Sequence, residues 1–144
     1  MNILVLQGPN LNLIGKKSAY VGRRVTLDKI NTALRRHVRN RDIALKIFQT
    51  HVNAKAITFL HRQRTWADGI VMAPMAWSHY DWSLKETFLI LKIPLVQVFL
   101  SPEFLTVGNG TLFNEIAVTT IASDPMTAFC EAVDAMEKYL TESS

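Results

Sequence analysis

The sequence predicts an α/β protein in which a parallel sheet is covered by helices on both faces. Two observations carry this. Short apolar runs of strand length alternate with longer segments whose apolar residues recur at helical spacing. The stretches between them hold the glycines, prolines and capping residues that start and stop such elements.

Asn2–Gln7 is a nearly continuous apolar run, the pattern of a strand buried on both faces. Residues 8–25 read as a long loop carrying Gly8, Pro9, Gly15 and Gly22. Thr26 is a candidate N-cap. After it Leu27, Ile30, Leu34 and Val38 repeat at helical spacing, with Arg35, Arg36 and Arg39 between them. Residues 43–49 alternate as a second strand. Residues 53–66 read as a helix with Ile57, Leu60 and Phe59 facing inward. Gly69–Ala73 is a third strand. Residues 78–91 read as one helix, with Trp82, Phe88 and Leu91 on its buried face, and 94–100 as a fourth strand. Residues 101–114 are irregular, with Asn109-Gly110 a strong turn signal. A short fifth strand is expected over 115–121. Ser123-Asp124-Pro125 then opens a last helix whose buried stripe is Phe129, Val133, Met136 and Leu140.

These elements suit a single domain over 1–144, built as a flavodoxin-like three-layer sandwich with strand order 2-1-3-4-5. Ligands of such folds bind beyond the carboxyl ends of the strands. Any site is therefore expected in the loops over 8–22, 50–52, 74–79 and 101–110.

Composition narrows the function classes. No apolar run is long enough to span a membrane, and the start of the chain lacks the basic region and cleavage site of a signal peptide. Cys130 is the only cysteine, so an intrachain disulfide or a cysteine-rich metal site is excluded and a cytoplasmic setting is expected. Charge is unevenly spread. Residues 1–67 hold 13 Lys/Arg against 2 Asp/Glu; residues 68–144 hold 3 Lys against 10 Asp/Glu. No nucleic-acid motif accompanies the basic half, so attraction between oppositely charged faces, or a solvated surface, is the simpler reading.

The first loop reads Gly8-Pro9-Asn10-Leu11-Asn12-Leu13-Ile14-Gly15 and closely resembles the GPNLNLLG signature of type II 3-dehydroquinate dehydratases. Further matches follow in order. Phe48-Gln49-Thr50 resembles the family's FQS. Gly69-Ile70-Val71 with Pro74, Ala76, Ser78 and His79 resembles GIVINPGAYTH. Residues 94–101 resemble PVIEVHLS. The resemblance covers about residues 2–101. It implies a small-molecule substrate and self-association into trimers that build dodecamers; no metal or other cofactor is expected.

The resemblance also implies a chemistry: a lid tyrosine as base beside an arginine, a histidine that protonates the leaving hydroxyl, and an asparagine that holds the enolate. The sequence departs at most of these positions. Lys17 stands for the lid arginine and Gly22 for the tyrosine, with Tyr20 two residues earlier. Ala73 stands for the asparagine and Asn53 for a glutamate. Phe99, which has no proton to give, stands for the histidine, and Gln97 for the glutamate that orients it. No arginine follows Arg64, so the substrate-gripping arginine beyond the fourth strand is missing.

A surviving pocket is still expected. Tyr20 and His79 are its candidate acid and base. Asn10, Asn12, Lys17, His51, Asn53, Trp77, Asp81, Phe99, Leu100 and Ser101 are its candidate binding residues. His51, His79 and Asp81 lack a regular metal motif, and no nucleophile elbow accompanies Ser78 or Ser101. Three functions stay open: an enzyme repurposed for elimination, isomerisation or cyclisation of another small anionic or cyclic substrate; a non-catalytic binder; and an altered 3-dehydroquinate dehydratase.

Overall fold

The computed structural model describes residues 1–143. Its five strands are β1 (Asn2–Gln7), β2 (Ala44–Gln49), β3 (Gly69–Ala73), β4 (Leu95–Leu100) and β5 (Thr119–Ser123). They form one all-parallel sheet in the order β2-β1-β3-β4-β5, the flavodoxin-like order expected from the sequence. The helices are α1 (Ile14–Tyr20), α2 (Leu27–His37), α3 (Asn53–Gln63), α4 (Trp77–Tyr80), α5 (Trp82–Leu91) and α6 (Pro125–Glu142).

β1 explains the layering. Its side chains alternate between the two faces of the sheet. Ile3 and Val5 pack with Ile30 and Leu34 of α2 and with Phe129, Val133 and Met136 of α6. Leu4 and Leu6 pack with Ala56 and Leu60 of α3, Trp77 of α4, and Leu84 and Phe88 of α5. A strand with a core on each side has no polar face, hence the unbroken apolar run.

Three elements differ from the sequence reading. Part of the first loop is helical: α1 occupies Ile14–Tyr20. The single helix expected over 78–91 is broken at Asp81, whose carboxylate accepts from the Leu84 N–H at 3.1 Å and caps α5. The break resets the helical phase. Trp77 turns fully inward, while Trp82, expected to be buried, is 67% exposed. The fifth strand begins at Thr119 rather than 115. A turn anchored by buried Phe113 occupies the earlier residues, with the Ala117 N–H bonded to the Phe113 carbonyl at 3.1 Å.

The uneven charge is partly neutralised inside the chain. Arg41 of the loop after α2 pairs with Asp134 and Glu137 of α6 at 2.9 and 2.8 Å. His37 meets Asp134 at 2.9 Å, and Arg23 pairs with Asp124, the cap of α6.

Beyond β4, residues 101–110 cross the carboxyl edge of the sheet as a strap. Its far end is locked to α4: the Gly110 N–H donates to Ser78 Oγ at 2.9 Å, and the Leu112 N–H to the Ser78 carbonyl at 3.1 Å. A Cβ on Gly110 would overlap that carbonyl oxygen, which is backbone and cannot swing away. Gly110→Ala is therefore expected to cost roughly 1–3 kcal/mol, the usual range for overpacking. A urea midpoint equal to that of the wild type would show that the strap yields freely.

Candidate active site

The cavity of interest lies where the fold predicts it, past the carboxyl ends of β1, β3 and β4. It encloses about 350 Å³. Three pieces of chain build it. The loop after β1 and the first turn of α1 supply Pro9, Asn10, Leu13, Ile14 and Lys17. Met75 and Ala76 come from the turn after β3. Val98, Phe99 and Leu100 end β4, and the strap adds residues 104–109.

Close packing fixes the first two pieces against each other. The Gly8 N–H donates to the Ala73 carbonyl at 2.9 Å. A Cβ on Gly8 would lie 2.6 Å from the Pro74 carbonyl oxygen, so only glycine permits this approach. Asn10 takes the left-handed conformation at φ 69°, which asparagine tolerates. Its N–H donates to Nδ1 of His51 at 3.1 Å.

Two clamps hold the strap over the cavity. At its near end the Arg23 guanidinium pairs with both oxygens of Asp124 and lies 5.1 Å from the centroid of the Phe104 ring. At its far end Nε2 of His79 contacts the Gly108 carbonyl, beside the Ser78–Gly110 bond.

The Arg23 hydrogen bonds hold the Asp124 carboxyl below its ordinary value, against the opposing effect of burial; the Met126 N–H lowers it further. A carboxyl depressed in the folded state adds stability above its unfolded pKa, and loses it as pH falls through the folded value. The stability difference between wild type and Arg23→Gln is thus expected to be full at neutral pH. It should shrink below about pH 4, the unfolded range of an aspartate. Urea midpoints of both proteins across that range check it; a difference independent of pH would remove the ion pair from the near-end clamp.

Four of the binding or catalytic candidates line the cavity: Asn10, Lys17, Phe99 and Leu100. The others lie elsewhere. Tyr20 ends α1 and is 82% exposed. Asn12 and His51 are exposed. Asn53 donates to both oxygens of Asp81, at 2.6 and 2.5 Å, and Asp81 is spent on capping α5. Trp77 is fully buried in the core with Leu4, Leu6 and Phe113, away from the cavity. Ser101 donates to the Ser123 carbonyl at 3.2 Å, stitching β4 to β5. His79 is exposed and holds the strap. The loop over 101–110 was expected to contribute, but Phe104, Leu105 and residues 106–109 carry no polar motif that would single them out.

The site's electrostatics are simple. Lys17 is the only ionisable side chain lining the cavity. It has no ion-pair or hydrogen-bond partner among the described residues. No group of three or more His, Cys, Asp or Glu placed to hold a metal occurs among the described residues. No helix among them is long and apolar enough to cross a membrane.

Residues 1–136 match the family model described as dehydroquinase class II. A curated relative from Clostridium botulinum named 3-dehydroquinate dehydratase is 36% identical over 100 residues, spanning 69% of this chain and 68% of the relative. A second, from Dictyoglomus turgidum and of the same name, is 33% identical over 101 residues, 70% of each chain. The crystal structure of a type II dehydroquinase from Butyrivibrio crossotus superposes with a TM-score of 0.81. It covers 95% of this chain and 97% of that one at 19% identity, a likeness of fold.

Proposed function

The chain belongs to the class II dehydroquinase family, and from that premise we propose that it keeps the family's pocket for a different small anionic substrate while dehydrating 3-dehydroquinate poorly. One observation carries this reading: the cavity holds a single ionisable side chain, Lys17, and Phe99 occupies the wall where the family resemblance puts the protonating histidine. Dehydration through an enolate needs a base and an acid on the same substrate. One amine can anchor a carboxylate, or take up and return one proton, but it cannot fill both roles at two positions of a ring. Isomerisation or cyclisation of another substrate, or elimination of a group that leaves without being protonated, is compatible with Lys17 as that group. Tyr20 and His79 would have to leave their present places, solvent and the Gly108 carbonyl, to join it.

The same reading makes the protein a single-domain cytoplasmic homo-oligomer built on trimers, as the family resemblance implies.

A second reading rests on the relatives. Two proteins named 3-dehydroquinate dehydratase are 36% and 33% identical to this chain over about 100 residues. That favours a dehydratase that has kept its substrate and altered its catalytic groups. A steady-state assay with 3-dehydroquinate, following the absorbance of the conjugated product, separates the two. Turnover at the rate of an ordinary enzyme would establish the second reading and end the first.

A further inference from the structure

We infer that the cavity selects a monocarboxylate on an apolar ring, without ring hydroxyls, and that Met75 is a specificity-determining residue for it. This deepens the proposed function and rests on its premise that the pocket still binds a small anion.

The charge requirement comes from Lys17. An ammonium at the cavity wall, with no carboxylate partner on the protein and no Asp or Glu among the lining residues, leaves one positive charge for a ligand to meet. The backbone N–H groups of residues 106–109 on the strap also donate to no acceptor among the described residues. One charge, with neutral donors nearby, suits one carboxylate rather than a diphosphate or a dicarboxylate.

The ring requirement comes from the remaining wall. Leu13, Ile14, Met75, Phe99, Phe104 and Leu105 offer carbon. A ring carrying several hydroxyls would lose more of its water against these side chains than the few polar groups on the wall replace, and each group left unpaired is unfavourable. Besides Lys17, the polar side chains on the wall are Asn10, Thr106 and Asn109.

Met75 is an independent observation. Its φ is 51°, in the left-handed region where side chains other than glycine and asparagine are strained. The family motif GIVINPGAYTH, which residues 69–79 resemble, has glycine at this place. The chain thus puts a long apolar side chain, lining the cavity, on a left-handed backbone that glycine adopts without strain. Strain held at a cavity wall points to a role in binding. Methionine's flexible thioether suits it to close against a flat ring.

The experiment is calorimetric titration of the full chain with benzoate, cyclohexanecarboxylate and quinate, with benzyl alcohol as the uncharged control. The first two acids are expected to bind, and quinate and benzyl alcohol at least tenfold more weakly. Lys17→Met should weaken benzoate about ten- to hundredfold, the loss of a charge-assisted contact, and Lys17→Arg should recover part of it. Met75→Gly should leave the thermal midpoint unchanged or raised, by relief of strain, yet weaken benzoate severalfold. A merely structural Met75 would leave binding untouched. Quinate binding tighter than benzoate overturns the ring inference and leaves the proposed function standing. Binding unaffected by Lys17→Met overturns the charge inference. No binding of any acid, with 3-dehydroquinate turnover also absent, sinks the ligand class alone; ordinary turnover sinks the proposed function as well.

Discussion

Wild-type protein supplied with 3-dehydroquinate is expected to form product about 10²–10⁴-fold more slowly than an enzyme whose positioned acid is intact. The reason is local to β4. Phe99 faces the cavity and has no transferable proton. Gln97, which stands for the orienting glutamate, is fully buried, and its amide nitrogen donates to Asn114 at 2.9 Å and Thr120 at 3.2 Å. It serves the sheet rather than the site. Ala73 ends β3 with a methyl group where the family resemblance expects an enolate-holding amide, a donor of the kind whose removal costs about 10²–10³ in rate. The two losses need not multiply, because groups acting on one transition state are not additive. The single-acid figure is therefore the conservative expectation. Steady-state turnover measures it directly, and a rate within tenfold of an ordinary dehydratase would show that another group supplies the proton.

The second large effect concerns stability. Trp77→Ala is expected to cost about 3–5 kcal/mol, the range for removing a buried large aromatic. The indole is fully buried between α4 and the sheet, in the core that holds Leu4, Leu6, Ile70, Met72 and Phe113. Trp77→Phe should cost far less. Nε1 of Trp77 is buried without a hydrogen-bond partner among the described residues. Phenylalanine therefore gives up volume but no bond, and removes a donor that is unfavourable to bury. Chemical denaturation of both variants tests this. Equal losses would mean that the indole nitrogen is satisfied in solution. Benzoate binding should survive Trp77→Phe, since Trp77 lies off the cavity wall.

Much of the fold was legible because it depends on patterns that burial enforces along the chain. β1, flanked by a core on each face, could only be apolar, and the cap at Asp124 followed by Pro125 marked the start of α6. What escaped depends on single residues acting at a distance. Asp81 sits within a helical pattern, and nothing in that pattern shows that its carboxylate will cap the Leu84 N–H and split the segment into two helices, with Trp82 left exposed. α1 was hidden because seven residues with an internal glycine resemble a loop. At the site, Asn10, Lys17, Phe99 and Leu100 were found through motif and strand-end position. The strap residues were not. They act through shape and backbone, and their place over the cavity is set by Arg23 and Ser78, which are remote in sequence.

The pairing of the arginine-bearing region around α2 with the acidic α6 bears on the order in which the chain is made. His37 waits for Asp134, 97 residues later, and Arg41 for Glu137, 96 residues later. As the polypeptide leaves the ribosome, His37 and Arg41 stay without their acidic mates until α6 has emerged. Contacts this far apart slow the search for the native arrangement. α6 is thus a fastener: it covers one oily flank of the sheet and brings acidic mates to His37 and Arg41 in the same step.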